Sequence, residues 1–184
     1  MPRHVAVLVG SLRRESFSRK MAHALAALAP ETLELKIAEI ADLALYNEDA
    51  EADAPRAWRD FREEVRPADA VLFVTPEYNR SVPGVLKNAL DVGSRPYGHS
   101  VWNGKPGAVL STSPGAIGGF GANQHLRQSM VFLNVPMMQM PEAYIGGIGT
   151  LFDAQGGVVK DEVRAFLTTF MASFSAWVEL CLKG

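Results

Sequence analysis

Three stretches of the chain combine residue types that could do chemistry. In Gly-Ser-Leu-Arg-Arg-Glu-Ser-Phe-Ser, residues 10–18, the hydroxyls of Ser11, Ser16 and Ser18 and the charges of Arg13 and Arg14 stand just before a helical pattern. Free backbone N–H groups at a helix N-terminus point at any anion there, and the helix dipole adds about 0.3–1 kcal/mol, so this stretch is suited to cradling a phosphate. An arginine beside it adds a charge-assisted hydrogen bond of about 1.5–3 kcal/mol. The plainer alternative is that Ser16 caps the helix and both arginines are solvated. Pro-Glu-Tyr-Asn at residues 76–79 sets an aromatic ring and an amide at a strand end, which suits a planar heterocycle bearing carbonyls and ring nitrogens. Residues 111–121 are rich in glycine, and Gly115, Gly118 and Gly121 either let backbone approach a flat ring or make a flexible turn.

Other chemistries fail on spelling. A triphosphate-binding loop ends in Gly-Lys-Ser/Thr, and Glu15-Ser16-Phe17 supplies none of it. A dinucleotide fingerprint needs three glycines on the first strand-to-helix turn, where only Gly10 stands. His4, His23, His99 and His125 have no metal-ligand spacing, so no metal is expected, and His125 is expected to pack or cap. Ser113 lacks the Gly-x-Ser-x-Gly elbow of an α/β serine hydrolase. Glu77 and Asp91 could be read as an acid pair, but Asp91 falls late on a helix. Cys181 is the only cysteine, which excludes an internal disulfide; it continues an apolar stripe and is expected to be buried and inert.

The elements that must position these loops follow from periodicity. Residues 5–9, 33–37, 69–74 and 107–110 read as strands, and a fifth is expected within residues 135–144. Between them, Phe17, Met21, Ala24, Leu25 and Leu28 mark one helix, Trp58, Phe61 and Val65 a second, Leu86, Ala89 and Leu90 a third, and Leu126, Met130 and Leu133 a fourth. The last helix is expected to bury Val159, Val163, Phe166, Phe170, Phe174, Trp177 and Cys181. Strand and helix in alternation predict an α/β fold, a flavodoxin-like doubly wound sheet of five parallel strands, order 2-1-3-4-5, with helices on both faces. That order sets the three loops side by side at the carboxyl edge. The acidic connection at residues 38–55 is long enough to cover a site. Met137, Met138 and Met140 are expected in the core.

With 184 residues, 48% of them hydrophobic, the chain is expected to form one domain over residues 1–184. Its formal net charge of -2 favours no nucleic-acid or anionic-membrane partner. No uninterrupted apolar run reaches the roughly 18 residues of a membrane span, and residues 1–15 do not read as a signal peptide, so a cytoplasmic location is expected.

Gly-Ser-Leu-Arg-x-x-Ser at residues 10–16, Pro-Glu-Tyr-Asn-x-Ser-Val-Pro-Gly-Val-Leu-Lys-Asn-Ala-Leu-Asp at 76–91 and Ser-Pro-Gly-Ala-Ile-Gly-Gly at 113–119 resemble the NADPH-dependent FMN reductase family, closest to its quinone and chromate reductase group. The resemblance runs over nearly the whole chain. It implies an FMN phosphate on Ser11, Arg13, Ser16 and Ser18, the isoalloxazine ring against Pro76, Glu77, Tyr78 and Asn79, and Ser113, Gly115 and Gly118 closing the far side. Many relatives have asparagine in place of Ser18, and Arg80 takes no assigned role. FMN would be noncovalent and would carry the chemistry without a catalytic side chain, with NADPH or NADH as donor and a small-molecule acceptor: a quinone, chromate, an azo compound or free flavin. Backbone N–H groups of the Pro76 and Ser113 loops would stabilise charge on the ring. The alternative is a flavodoxin-like single-electron carrier between protein partners, against which stand the weak net charge and the arginines of the first loop. Relatives pair subunits, and Arg127, Gln128 and the apolar residues 135–140 suit a subunit interface, so a homodimer or homotetramer is expected.

Overall fold

Five parallel strands, β1 (Arg3–Val9), β2 (Leu33–Ala38), β3 (Ala70–Pro76), β4 (Gly107–Thr112) and β5 (Ala143–Ile145), lie in the order β2-β1-β3-β4-β5 in the computed structural model, which describes residues 1–183. They are joined by α1 (Phe17–Leu28), α2 (Arg56–Val65), α3 (Gly84–Gly93), α4 (Phe120–Phe132) and α5 (Asp161–Leu182). Alternate side chains face opposite layers. Val5, Val7, Val9, Leu72, Val74 and Leu110 pack with Met21 and Leu25 of α1 and Phe170 and Phe174 of α5. Ala6, Leu8, Val71, Phe73 and Val109 pack with Trp58 of α2, Leu90 of α3 and Leu126 of α4. Both faces of β3 and β4 are therefore covered, which is why their sequences are nearly continuous apolar runs.

Register sets the functional edge. Val9 pairs with Val74, Val74 with Leu110 and Pro76 with Thr112, so the loops leaving β1, β3 and β4 begin beside one another. The flavodoxin-like order expected from the sequence is observed.

Several local expectations are corrected. The fifth strand is only three residues long; Met137 first makes an isolated bridge to Gly107, and the chain then leaves the ladder until Ala143. On α5 the buried face is Leu167, Phe170, Met171, Phe174 and Val178. Val163, Phe166, Trp177 and Cys181 are half-buried at its margins, and Val159 precedes the helix and is exposed. Burial still pushes the Cys181 thiol pKa up. Met138 is in the core, but Met140 is exposed. By length and composition α5 could cross a membrane, with a mean hydropathy of 1.5, but its five buried side chains belong to the core beside the sheet.

The acidic connection contains a 3-10 helix, Glu48–Asp53, and covers helices instead of the carboxyl-edge cleft. Glu51 accepts two hydrogen bonds from the buried Arg62 guanidinium at 2.7 and 2.9 Å, while Asn88 of α3 bonds Leu43 O, Ala44 O and Tyr46 N.

Candidate active site

The first loop delivers donors. Ser16 is the N-cap of α1, its Oγ accepting the Arg19 N–H at 3.1 Å, as the plainer sequence reading expected. Capping leaves the Ser16 hydroxyl proton free to donate, so the two roles are compatible. Phe17 and Ser18, in the first helical turn, have no intrahelical acceptor for their N–H groups. Ser11, Ser16 and Ser18 are nearly fully buried, and Ser11 Oγ lies 3.4 Å from the Arg13 N–H it accepts. Ser18 and Thr112 share one hydrogen bond of 2.9 Å between their hydroxyls, which uses one of their two protons and fastens the first loop to the end of β4.

Ser11, Arg13, Ser16, Phe17 and Ser18 line a cleft of about 180 Å³ together with Pro76, Glu77, Tyr78, Thr112, Ser113, Pro114 and Ile148. On its first-loop side every polar group can donate. Glu15, the loop's only carboxylate, lies outside the cleft and bonds Lys20 at 2.8 Å; that hydrogen bond holds its pKa below the ordinary value, so it remains paired on the surface. A loop side made only of donors fits an anion, and the one carboxylate that lines the cleft, Glu77, already accepts the Ala122 N–H. Larger hollows exist, about 300 Å³ beside β2 and about 680 Å³ between α1 and residues 153–158, but their charged side chains are largely spent on pairs such as Lys36–Glu64 and Arg164–Asp161.

Across the cleft, Tyr78 is 49% exposed, so its ring stands at the mouth. Tyr78 and Ser81 exchange N–H···O bonds of 3.1 and 3.0 Å, with Asn79 and Arg80 at positive φ between them. Glu77 Oε2 accepts the Ala122 N–H at 3.0 Å in the first turn of α4, a favourable place for a carboxylate. The side chain that was expected to meet a flat ring is thus first an anchor for its loop.

Eight of the eleven expected site residues come together here: Ser11, Arg13, Ser16, Ser18, Pro76, Glu77, Tyr78 and Ser113. Asn79, Gly115 and Gly118 do not line the cleft. Asn79 occupies a turn at φ 50°. Gly118, at φ 65°, backs onto β5, where a Cβ would sit 2.5 Å from the Tyr144 carbonyl carbon. Two backbone donors expected to serve the site are also committed, Tyr78 N–H to Ser81 O and Ser113 N–H to Ile145 O. Arg127 is likewise spent within the chain, its guanidinium bonding Asn123 Oδ1 at 3.1 Å and Met138 O at 2.9 Å. His125, expected to pack or cap, is instead exposed on α4, with Nδ1 2.9 Å from Ser81 Oγ.

Sequence reasoning missed Phe17, Thr112, Pro114 and Ile148. Thr112 ends a strand as Pro76 does, and Ile148 sits in the glycine-rich run that follows β5, so both carried a signal in the pattern.

The family model described as NADPH-dependent FMN reductase matches residues 3–149, a span that includes every residue of this cleft. The chain belongs to that family. It is an oxidoreductase whose cofactors are FMN and NAD(P)H. A quinone reductase of Pseudomonas putida is 67% identical over 96% of this chain and 95% of its own length. A 2-hydroxy-1,4-benzoquinone reductase of a Burkholderia species is 50% identical, with 95% of each chain covered. Among solved structures, FerB, a flavoenzyme NAD(P)H:(acceptor) oxidoreductase of Paracoccus denitrificans, superposes with a TM-score of 0.91 at 44% identity, covering 96% of this chain and 97% of that one. The donor set fits FMN: buried hydroxyls, free helix-terminal N–H groups and Arg13 converge where a phosphate would lie, and an aromatic stands at the opening.

Proposed function

We propose that this enzyme is a cytoplasmic NAD(P)H:quinone oxidoreductase working through noncovalently bound FMN. The observation that carries the reading is the meeting, in one cleft, of the donor-only first loop with Pro76 and Tyr78. The quinone substrate class is supported by the names of the Pseudomonas and Burkholderia relatives. Chromate, azo compounds and free flavin, as small acceptors, fall within the same proposal.

Ser11, Arg13, Ser16 and Ser18 hold the phosphate, with Arg13 supplying charge that neutral hydroxyls cannot. Pro76, Glu77 and Tyr78 border the ring, and Ser113 closes its far side. Asn79, Gly115 and Gly118 act at one remove, by shaping the turns that carry Tyr78 and Ser113. Two-electron transfer is the chemistry that bound FMN supplies. Tyr78 offers a half-exposed aromatic edge beside which a planar quinone can pack. Assembly into homodimers or homotetramers is part of the proposal, supported by Tyr97 and Phe132, 90% and 85% exposed, which both line one surface hollow.

Purification with stoichiometric flavin, released by heat and identified as FMN by chromatography, is the expected result. Recovery of FAD, or of no flavin after reconstitution, contradicts the site. Ping-pong kinetics with NADPH and a benzoquinone are expected, because one cleft mouth must serve donor and acceptor in turn; activity confined to a protein partner favours the carrier alternative.

A further inference from the structure

Arg80 occupies a backbone conformation that an arginine disfavours. Asn79 at φ 50° and Arg80 at φ 63° are the two central residues of the turn closed by Tyr78 and Ser81. Positive φ at both places characterises the tight hairpin turn whose usual spelling is Asn-Gly. At the second place a Cβ crowds the backbone, and such strain persists where the surroundings over-determine it. They do so here: Glu77 is tied to Ala122 N, Ser81 to His125, and Gly121 lies so close that a Cβ on it would be 2.7 Å from Arg80 O.

The fold makes little use of the side chain held on this rigid turn. Arg80 is 77% exposed at its side chain and makes no side-chain hydrogen bond among the described residues. Its nearest anion is Glu77 Oε1, 3.7 Å from Nη1, on a carboxylate that already accepts the Ala122 N–H. Arg19 and Arg62, by contrast, each spend the guanidinium fork on a glutamate. Glu77 and Tyr78 both line the cleft, so an open cationic fork stands beside its mouth.

We infer that Arg80 is a specificity-determining residue that selects acceptors carrying a negative charge, ionised hydroxyquinones over neutral quinones. An ionised 2-hydroxyquinone presents its anionic oxygen next to a carbonyl oxygen, a pair that matches the two parallel N–H groups of a guanidinium. A neutral quinone lacks the charged oxygen of that pair. The inference rests on the quinone reductase reading given above.

The test uses the FMN-loaded, oxidised protein and calorimetric titration with two planar probes, 2-hydroxy-1,4-naphthoquinone, an anion at neutral pH, and its neutral 2-methoxy counterpart. The natural protein is expected to bind the anion about five- to tenfold more tightly than the neutral probe. In Arg80→Gly that ratio falls to near one while Tm rises, because glycine relieves the turn; Arg80→Lys keeps part of the preference. An unchanged ratio in Arg80→Gly overturns the inference. So does a change confined to the NADPH-to-NADH KM ratio, which would assign the fork to the donor's 2′-phosphate. Protein that holds no FMN, or reduces neither probe, brings down the reductase reading and this inference with it, whereas FMN retention with turnover and an unmoved ratio brings down the Arg80 assignment alone.

Discussion

Ser18 Oγ lies 2.9 Å from Thr112 Oγ1, with both side chains almost wholly enclosed. One short side chain from the first turn of α1 thereby meets one from the last position of β4. The contact fixes the distance between the loop that follows β1 and the loop that carries Ser113.

Thr112→Val keeps the shape of the side chain and removes its hydroxyl. Ser18 then has a buried hydroxyl without its partner, a loss of about 1–3 kcal/mol of stability. Urea unfolding should show that loss, and FMN affinity should fall with it, whereas Thr112→Ser should restore both. Equal stability of Thr112→Val and the natural protein would mean that the hydroxyl pair is incidental.

Arg13→Ala should weaken FMN binding by about ten- to a hundredfold, since it removes a charged donor worth about 1.5–3 kcal/mol. Arg13 is exposed on a loop, so the melting temperature of the cofactor-free protein should not move. Titration of the apoprotein with FMN measures the first effect and thermal denaturation the second. Unaltered FMN affinity would shift the phosphate contact to the backbone and the serines alone.

Glu51→Ala tests whether the acidic connection is structural. It leaves Arg62, only 6% exposed at its side chain, with no carboxylate in its buried position, and breaking a buried pair in this way costs about 3–5 kcal/mol. Arg62 keeps one bond, Nε to Val92 O at 2.8 Å, which moderates the loss. A marked fall in the urea midpoint with the FMN content unchanged is the expected pair of results. Loss of FMN without loss of stability would make the connection part of the site.

Much of the fold was legible because two periods dominate the chain. Residues 5–9 and 70–74 are buried on both faces and could be nothing but inner strands, and Trp58, Phe61 and Val65 recur on one face of α2. β5 was not legible in detail: its ladder is interrupted after Met137, so no run of strand length exists there to be found. On α5, apolar residues continue onto the exposed side at Leu180 and Leu182, which blurs the face that a period of 3.6 would otherwise mark. In the site, the serines and Arg13 announced themselves by type, whereas Thr112 and Ile148 are ordinary residues that matter through where the sheet places them. Among the glycines of the third loop, Gly118 stands where β5 approaches closely, a demand that no local pattern announces. Glu77 was expected at a ring and is found bonded to α4, a contact across 45 residues of chain that no local pattern encodes.

The central claim, that the cleft between the first and third loops binds an FMN reducible by NAD(P)H and reoxidised by quinone, is tested most directly by anaerobic rapid mixing. Flavin absorbance of the purified protein should bleach on mixing with NADPH and return on a second mixing with a quinone, two electrons at a time. Flavin that NADPH and NADH leave unbleached, or that a quinone fails to reoxidise once reduced, contradicts it.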